Sequence, residues 1–306
     1  RYTEQIGEEC PGLEVHIRRR NQSMVKSVRA LVKKQKVKRL AVEAESMTLG
    51  LRDRLAAELT NCEIVPLSDA VEQLRAVKDD WEIDRIRVAV DYAQRAITMV
   101  AAGLMPDQTE KQVADLLEYN MRSVGAKCSA FPTIVAVGAR AALPHAVPTE
   151  QRIAESPILL VDWGANEGVY RSDLTRVFVT GRISPKLKRI YEVVLNAQQA
   201  GIDAIRPGVT CEEVDRAARS VIEEAGFGPK FGHGLGHGIG VDIHEAPRLS
   251  AASTTPLKPG MVVTVEPGIY IPGWGGVRIE DDVLVTPEGH EVLTTVPKNF
   301  DDIVLA

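Results

Sequence analysis

Two stretches of this chain carry the same punctuation. Pro106, Thr109 and Gly125 stand at the same internal spacing as Pro207, Thr210 and Gly226. Each proline closes a helix, each threonine is placed to cap a second one, and each glycine to end it. In the first pair the apolar residues Ile83, Ile86, Val90, Ala93, Ile97, Val100 and Leu104 recur at gaps of three and four. Val113, Leu116, Leu117, Met121 and Val124 then form the stripe of its second helix. The later pair repeats this with Leu187, Ile190, Val194 and Ala197, running to Ile205, then Val214, Ala217, Ala218 and Val221. Such stripes mark helices buried along one face. Strand-like runs follow each pair: Ile158–Val161 and Thr175–Val179, then Met261–Val265 and Val277–Val285. The spacing predicts an α+β domain over residues 76–306, made by internal duplication of an αα-then-ββ half, with pseudo-twofold symmetry. Two unrelated helical hairpins are the plain alternative.

Residues 1–75 read as a separate, small α/β domain. A helix is expected around Ser23–Lys34, a strand at Arg39–Val42, a helix over Leu49–Leu59 and a strand at Glu63–Val65. That alternation suggests a sheet with parallel strands. The basic run Lys33–Arg39 reads as a solvated helix end, and the character of the chain changes near Ala76–Asp80. Because the chain opens on Arg1 without a methionine, this domain is expected to be truncated.

Composition narrows the function classes. A net charge of -5 and a pI near 5.8 argue against a general nucleic-acid binder. No apolar run reaches the roughly 18 residues that cross a bilayer. Cys10, Cys62, Cys128 and Cys211 lie far apart and form no C-x-x-C pair, which fits a reducing cytoplasm.

If the halves are duplicates, each should offer two strands to a shared centre. The first pair carries Asp162 in Leu159-Leu-Val-Asp162-Trp-Gly and Asp173 in Ser172-Asp-Leu-Thr-Arg176. The second carries Glu266 in Val263-Thr-Val-Glu266-Pro-Gly and Glu280 in Val277-Arg-Ile-Glu280-Asp281. A carboxylate at the end of an apolar run is costly to bury unless it is paired or metal-bound. Between the second pair of helices and their strands lies Phe231-Gly-His-Gly-Leu-Gly-His-Gly-Ile-Gly-Val-Asp-Ile-His244-Glu245. Glycine at every second position from Gly232 to Gly240 disfavours a helix and permits close backbone approach. A solvated loop is its plain reading; three imidazoles drawn to one site is the sharper one. Four carboxylates and one of these imidazoles make a hard-oxygen donor set with a single nitrogen, suited to Mn²⁺, Fe²⁺, Co²⁺ or Zn²⁺. Two divalent cations balance four carboxylates, so a dinuclear centre is expected, able to lower the pKa of a bridging water.

In order and local context these residues resemble the five metal ligands of the pita-bread metallopeptidases. That family includes Xaa-Pro dipeptidase, Xaa-Pro aminopeptidase, methionine aminopeptidase and creatinase. The resemblance spans residues 76–296, and V-D-W-G, S-D-L-T-R, G-H-G-L-G-H-G-I-G, T-V-E-P-G and V-R-I-E-D carry it together. It implies that His237 is the ligand imidazole, that Asp173 and Glu280 bridge two ions, and that Asp162 chelates one. His237 and Glu266 would complete the other. By the same resemblance His145, in Leu143-Pro-His-Ala-Val-Pro-Thr149, binds substrate. His233 and His244 contact substrate and stabilise the tetrahedral intermediate, and Glu266 doubles as proton shuttle. Arg278 is read as a carboxylate-binding or ligand-orienting group, with a structural salt bridge as its alternative. Thr264 and Tyr270 are read as supporting or pocket residues, with core packing as the alternative.

The resemblance further implies a homodimeric exopeptidase cleaving the bond before proline in short peptides, with two ions, Mn²⁺ first among the candidates. Intact ligands weigh against a creatinase-like amidohydrolase. They also weigh against a non-catalytic binding module on the same fold.

Overall fold

The computed structural model describes residues 2–305. It divides into two compact units between Ala70 and Val71. The first holds helices α1 (Thr3–Glu9), α2 (Met24–Lys34) and α3 (Leu49–Glu58), with strands β1 (Arg39–Glu43) and β2 (Glu63–Leu67). β1 and β2 pair in parallel, Arg39 beside Glu63, as the alternation of elements predicts. Ser23 and Thr48 cap α2 and α3, and a small core gathers on Val25, Leu55 and Leu59. α1 was not expected from the sequence and buries none of its residues. A short helix, α4 (Ala70–Arg75), lies at the division.

The second unit is built twice over. Helices α5 (Asp80–Ala102) and α6 (Glu110–Ser123) lead to strands β3 (Cys128–Ser129) and β4 (Ile134–Val137), and then to β5 (Ile158–Trp163). A small excursion through β6 (Ala165–Glu167) and β7 (Tyr170–Arg171) returns the chain as β8 (Leu174–Val179). Helices α7 (Pro185–Ala204) and α8 (Cys211–Glu224) lead in turn to β9 (Gly236–Gly238), β10 (Glu245–Leu249) and β11 (Val262–Val265). The hairpin of β12 (Gly268–Ile271) and β13 (Gly275–Arg278) precedes β14 (Asp281–Val285) and β15 (His290–Val292). The antiparallel order β4-β5-β8 of the first half matches β9-β11-β14 of the second, where β10 and β15 extend the edges.

The duplication reaches individual hydrogen bonds. Thr109 N and Thr210 N each donate to the side chain of the third helical residue, Gln112 and Glu213. Glu110 N donates to Gln151 O and Cys211 N to Thr255 O; Lys111 N donates to Thr149 O and Glu212 N to Ser253 O. Gly125 and Gly226 both end their helices with positive φ. The apolar stripes are buried along most of their length, with Leu104, Leu116 and Val124 half-buried and an adjustment in α8. There Ile222 fills the core beside Val214 and Ala218, while Ala217 and Val221 are only half-buried.

Two expectations needed the structure. Val277–Val285 is not one strand: β13 pairs with β12, β14 with β11, and the chain changes partner at Ile279-Glu280. Glu280 instead makes an isolated antiparallel bridge with Thr175, its N–H donating to Thr175 O at 3.1 Å. That bridge joins the two halves at their centre. The glycine-rich run, in turn, is not a solvated loop. Its middle is β9, fully enclosed, because a Cβ on Gly236 would lie 2.0 Å from Thr264 O and one on Gly238 2.2 Å from Ala246 O. Glycine here admits the neighbouring strands' backbones on either side of His237.

Gly236→Ala should therefore lower stability by about 1–3 kcal/mol, as overpacking does. Gly232→Ala, with nothing within 4 Å of the added carbon, should be near neutral. Thermal unfolding of the two variants side by side checks this; equal midpoints would contradict the packing argument.

Candidate metal centre

The duplicated strands deliver their carboxylates to corresponding places. Asp162 lies near the end of β5 and Glu266 directly follows β11; Asp173 directly precedes β8 and Glu280 directly precedes β14. His237 is the central residue of β9, next to β11. These five line one cavity of about 880 Å³ together with His145, His233, His244, Tyr270 and Arg278. His237 Nε2 lies 3.3 Å from Glu266 Oε1 and 3.7 Å from Asp173 Oδ2. Asp173, His237 and Glu280 each offer a donor atom, all within 4.8 Å of one another.

The electrostatics show what this convergence costs. Burial pushes Asp173 well above the usual carboxylate range, and the Glu280 and Asp162 charges add to it. Glu280 is raised in the same way, by burial and then by Glu266 and Asp162. Burial also raises Asp162, although the Arg278 guanidinium opposes it. Glu266 goes the other way. Burial would raise it, yet its hydrogen bond and charge pairing with His237 prevail and bring it to about 2. His237 is correspondingly raised: Glu266 outweighs the desolvation of its ring. The centre thus prefers to hold protons unless other positive charge replaces them.

The donor set fits divalent cations. Asp162 Oδ1 is buried and has no hydrogen-bond partner among the described residues. The His237 Nδ1 contact with Gly238 O, at 3.1 Å, requires Nδ1 to carry the proton and donate, because a carbonyl only accepts. That leaves Nε2, turned toward Asp173 and Glu266, as the nitrogen with a free lone pair, the arrangement in which metal-binding histidines are usually held. Oxygen donors with one imidazole are the chemistry of Mn²⁺, Fe²⁺, Co²⁺ or Zn²⁺.

Around the carboxylates runs a chain of oriented donors. Arg278, fully enclosed, donates from Nη2 to Asp162 Oδ2 at 2.6 Å, from Nε to Thr175 Oγ1 and from Nη1 to the Tyr270 hydroxyl, both at 3.0 Å. Thr175 passes its own proton to Glu280 Oε2 at 2.6 Å. His233 Nδ1 donates to Gly234 O, so its Nε2 accepts from the Tyr270 hydroxyl at 2.9 Å. Burial lowers the His233 pKa, in keeping with a neutral ring. Thr264 Oγ1 accepts from His237 N and donates to Glu266 Oε1. Arg278, Tyr270 and Thr264 are thus in contact with the cluster and not merely packed near it.

The outer histidines stand further out. His244 is exposed at its edge, its ring 4.4 Å from that of His237 and nearly perpendicular to it; partial desolvation against that ring, and then the His237 charge, lower its pKa. His145 is exposed on the loop after β4, where Pro144 O faces Arg278 Nη2 at 3.5 Å. Several supporting residues escaped the sequence reading. Thr175 carries two of the bonds above. Asp215 and Arg219 of α8 hold the His233 segment: Asp215 accepts from Leu235 N, and Arg219 donates to the Phe231 and His233 carbonyls. The one sequence signal for Asp215 was a carboxylate one residue along from Val214 in an otherwise apolar stripe.

Comparison with known proteins agrees with this geometry. Residues 84–287 match the model of metallopeptidase family M24, and residues 1–77 that of the creatinase/prolidase N-terminal domain. The chain is 41% identical to Xaa-Pro dipeptidase of Pyrococcus horikoshii over 264 residues, 86% of this chain and 75% of that one. It superposes on Xaa-Pro dipeptidase from Bacillus anthracis with a TM-score of 0.94 at 42% identity, covering 99% of this chain and 84% of the other. X-Pro aminopeptidase from Thermotoga maritima gives a TM-score of 0.90 at 37% identity, over 97% and 84% of the two chains. With its duplicated halves, its α+β pita-bread architecture and a family match across most of the second unit, this chain belongs to metallopeptidase family M24.

Proposed function

We propose that this metallopeptidase is a dinuclear exopeptidase that hydrolyses the bond before proline in short peptides. The observation that carries the reading is the gathering of four carboxylates and one imidazole on the wall of one cavity, with Asp173, His237 and Glu280 offering donor atoms within 4.8 Å of one another. Asp162, Asp173, His237, Glu266 and Glu280 would hold the ions, two of them by charge balance, with Mn²⁺ as first candidate and Co²⁺, Fe²⁺ or Zn²⁺ as alternatives. Bound there, divalent ions supply Lewis acidity and bring the pKa of water toward neutrality. The relatives' Xaa-Pro specificity supports the choice of substrate.

The chain's own residues supply the rest. Glu266, held ionised at about 2, is the carboxylate placed to take a proton and return it to the leaving secondary amine. Arg278 fixes Asp162 and, through Thr175, steadies Glu280. Tyr270 holds the neutral His233 ring by its Nε2. His145 and His244, exposed at the cavity, are the substrate-facing pair, His244 with His233 placed to stabilise an oxyanion. Residues 76–306 form the catalytic domain in this reading. We place the enzyme in the cytoplasm as a homodimer, supported by four unpaired cysteines and by the family resemblance. Among the described residues no helix is long and apolar enough to cross a membrane.

Hydrolysis of Xaa-Pro dipeptides against Xaa-Pro-Yaa tripeptides, in Mn²⁺- or Co²⁺-loaded protein and again after chelation, tests the assignment. Dipeptide cleavage alone identifies a dipeptidase, tripeptide cleavage an aminopeptidase, and cleavage of neither rejects the proposal. Asp173→Ala should reduce bound metal per chain and lower kcat/KM by more than the roughly 10–100-fold typical of an outer-shell partner. Normal metal content in that variant would remove Asp173 from the ligand set.

Stability should depend on pH differently with and without metal. Asp162, Asp173 and Glu280 have folded pKa values above their unfolded ones. Their protonated forms favour the fold at low pH, and that support is lost as pH rises through the folded values. Glu266, depressed to about 2, acts with opposite sign only below its ordinary value of 4.5. The melting temperature of chelated protein should therefore fall relative to Mn²⁺-loaded protein as the pH is raised from about 5, past the ordinary carboxylate values. A gap that stays constant or narrows over that range would contradict the shifts.

A further inference from the structure

Glu110, the first residue of α6, is fully buried, yet it spends none of its oxygen atoms on its own helix. Thr109 and Gln112 already cap that helix reciprocally. The Glu110 carboxylate instead closes the loop that carries His145. Oε1 accepts from Val137 N at 2.7 Å, on the incoming side. Oε2 accepts from Thr149 N at 2.8 Å and Thr149 Oγ1 at 2.6 Å, on the outgoing side. Arg140 Nε bridges both oxygens at 3.1 and 3.0 Å, and its Nη2 reaches Val147 O inside the loop at 2.5 Å. One carboxylate thus ties together both ends and the interior of segment 138–148, whose tip presents Pro144, His145 and Val147 to the cavity.

The duplication separates this from a requirement of the fold. Cys211 occupies the corresponding position in the second half and donates the same backbone bond, with a buried thiol where Glu110 has its carboxylate. The helix pair and its strands therefore form without an acid at that place. What the first half has in addition is an exposed histidine loop to hold. We infer that Glu110, with Arg140, is a positioning residue for His145: it fixes the loop so that the imidazole meets the substrate in one orientation. This inference rests on the substrate-facing reading of His145.

A double-mutant cycle in Mn²⁺-loaded protein tests it, with Glu110→Gln, His145→Ala and the pair assayed on an Xaa-Pro substrate. Glutamine leaves one acceptor oxygen and turns an amide N–H₂ toward donors, so the clasp loosens at one end. Glu110→Gln should lower kcat/KM by roughly 10–100-fold, the cost of misplacing a group by about 1 Å. The loss should fall mainly in KM, as in His145→Ala, with bound metal per chain unchanged. The double variant should be no worse than His145→Ala, within about threefold. If the two losses multiply, Glu110 acts independently of His145 and the inference is overturned. An unimpaired Glu110→Gln beside an impaired His145→Ala overturns it while leaving the role of His145 intact. An unimpaired His145→Ala removes the substrate-facing reading and this inference with it. Should Glu110→Gln fail to fold, Arg140→Met takes its place in the same cycle, since Arg140 is part-exposed and the backbone bonds to Glu110 survive its loss.

Discussion

Four carboxylates are gathered on the wall of one cavity, and most of the second unit can be understood as the means of making that tolerable. Like charges repel strongly once water is excluded, and desolvation alone disfavours each ionised group. The halves nonetheless meet here, where Glu280 N bonds Thr175 O and the side chains of the same two residues bond again. Asp173 N is held in the same way by Asp282 Oδ2, across from one half to the other. The seam between the duplicates is therefore also the floor of the candidate metal centre.

Behind that seam stands a second charged group with a different purpose. Arg176 and Asp281 are both fully buried and paired at 2.7 Å. Arg176 also donates to the Glu280 and Thr175 carbonyls, and Asp281 accepts from Thr294, Gln198 and Lys298. A buried ion pair contributes little net stability unless its remaining hydrogen bonds are satisfied, and here they are. These opposite charges keep Asp281 below the usual carboxylate range despite its burial. Its neighbours Glu280 and Asp282, which make no direct ion pair among the described residues, are raised by burial, Asp282 to about 8. Alternation along β14 thus sends one acid to a saturated network and its neighbours to the metal side.

The parts of this architecture that could be read in the sequence are those set by local rules. Helix stripes and the caps Thr109 and Thr210 depend on residues within a turn of one another, and the repeated spacing made the duplication visible. Asp162 and Glu266 showed through because each follows an apolar run, and Asp173 and Glu280 because they stand at corresponding places in the repeat. Strand boundaries were harder: Val277–Val285 reads as one strand because nothing local marks the change of partner at Ile279-Glu280. The glycine-rich run misled in part, since the same absence of Cβ serves a flexible loop and a close-packed strand. The choice depends on backbone that the fold turns back against it, from Ala246 just beyond the run and from Thr264 further on. Glu110 and Thr175 were illegible, because their meaning lies in partners that only the fold brings near.

Departures from the duplication are as informative as its presence. Asp162 and Glu266 occupy matching strand ends, but their cationic partners differ in kind. Asp162 takes a guanidinium from Arg278, which keeps its proton under all ordinary conditions. Glu266 takes an imidazole from β9, at the place where the first half has the apolar β4. An imidazole can give up its proton to become a ligand; a guanidinium cannot. One end of the centre is thereby balanced by permanent charge and the other by charge that comes and goes. A carboxylate proposed to carry protons during a reaction belongs beside the second, and that is where Glu266 stands.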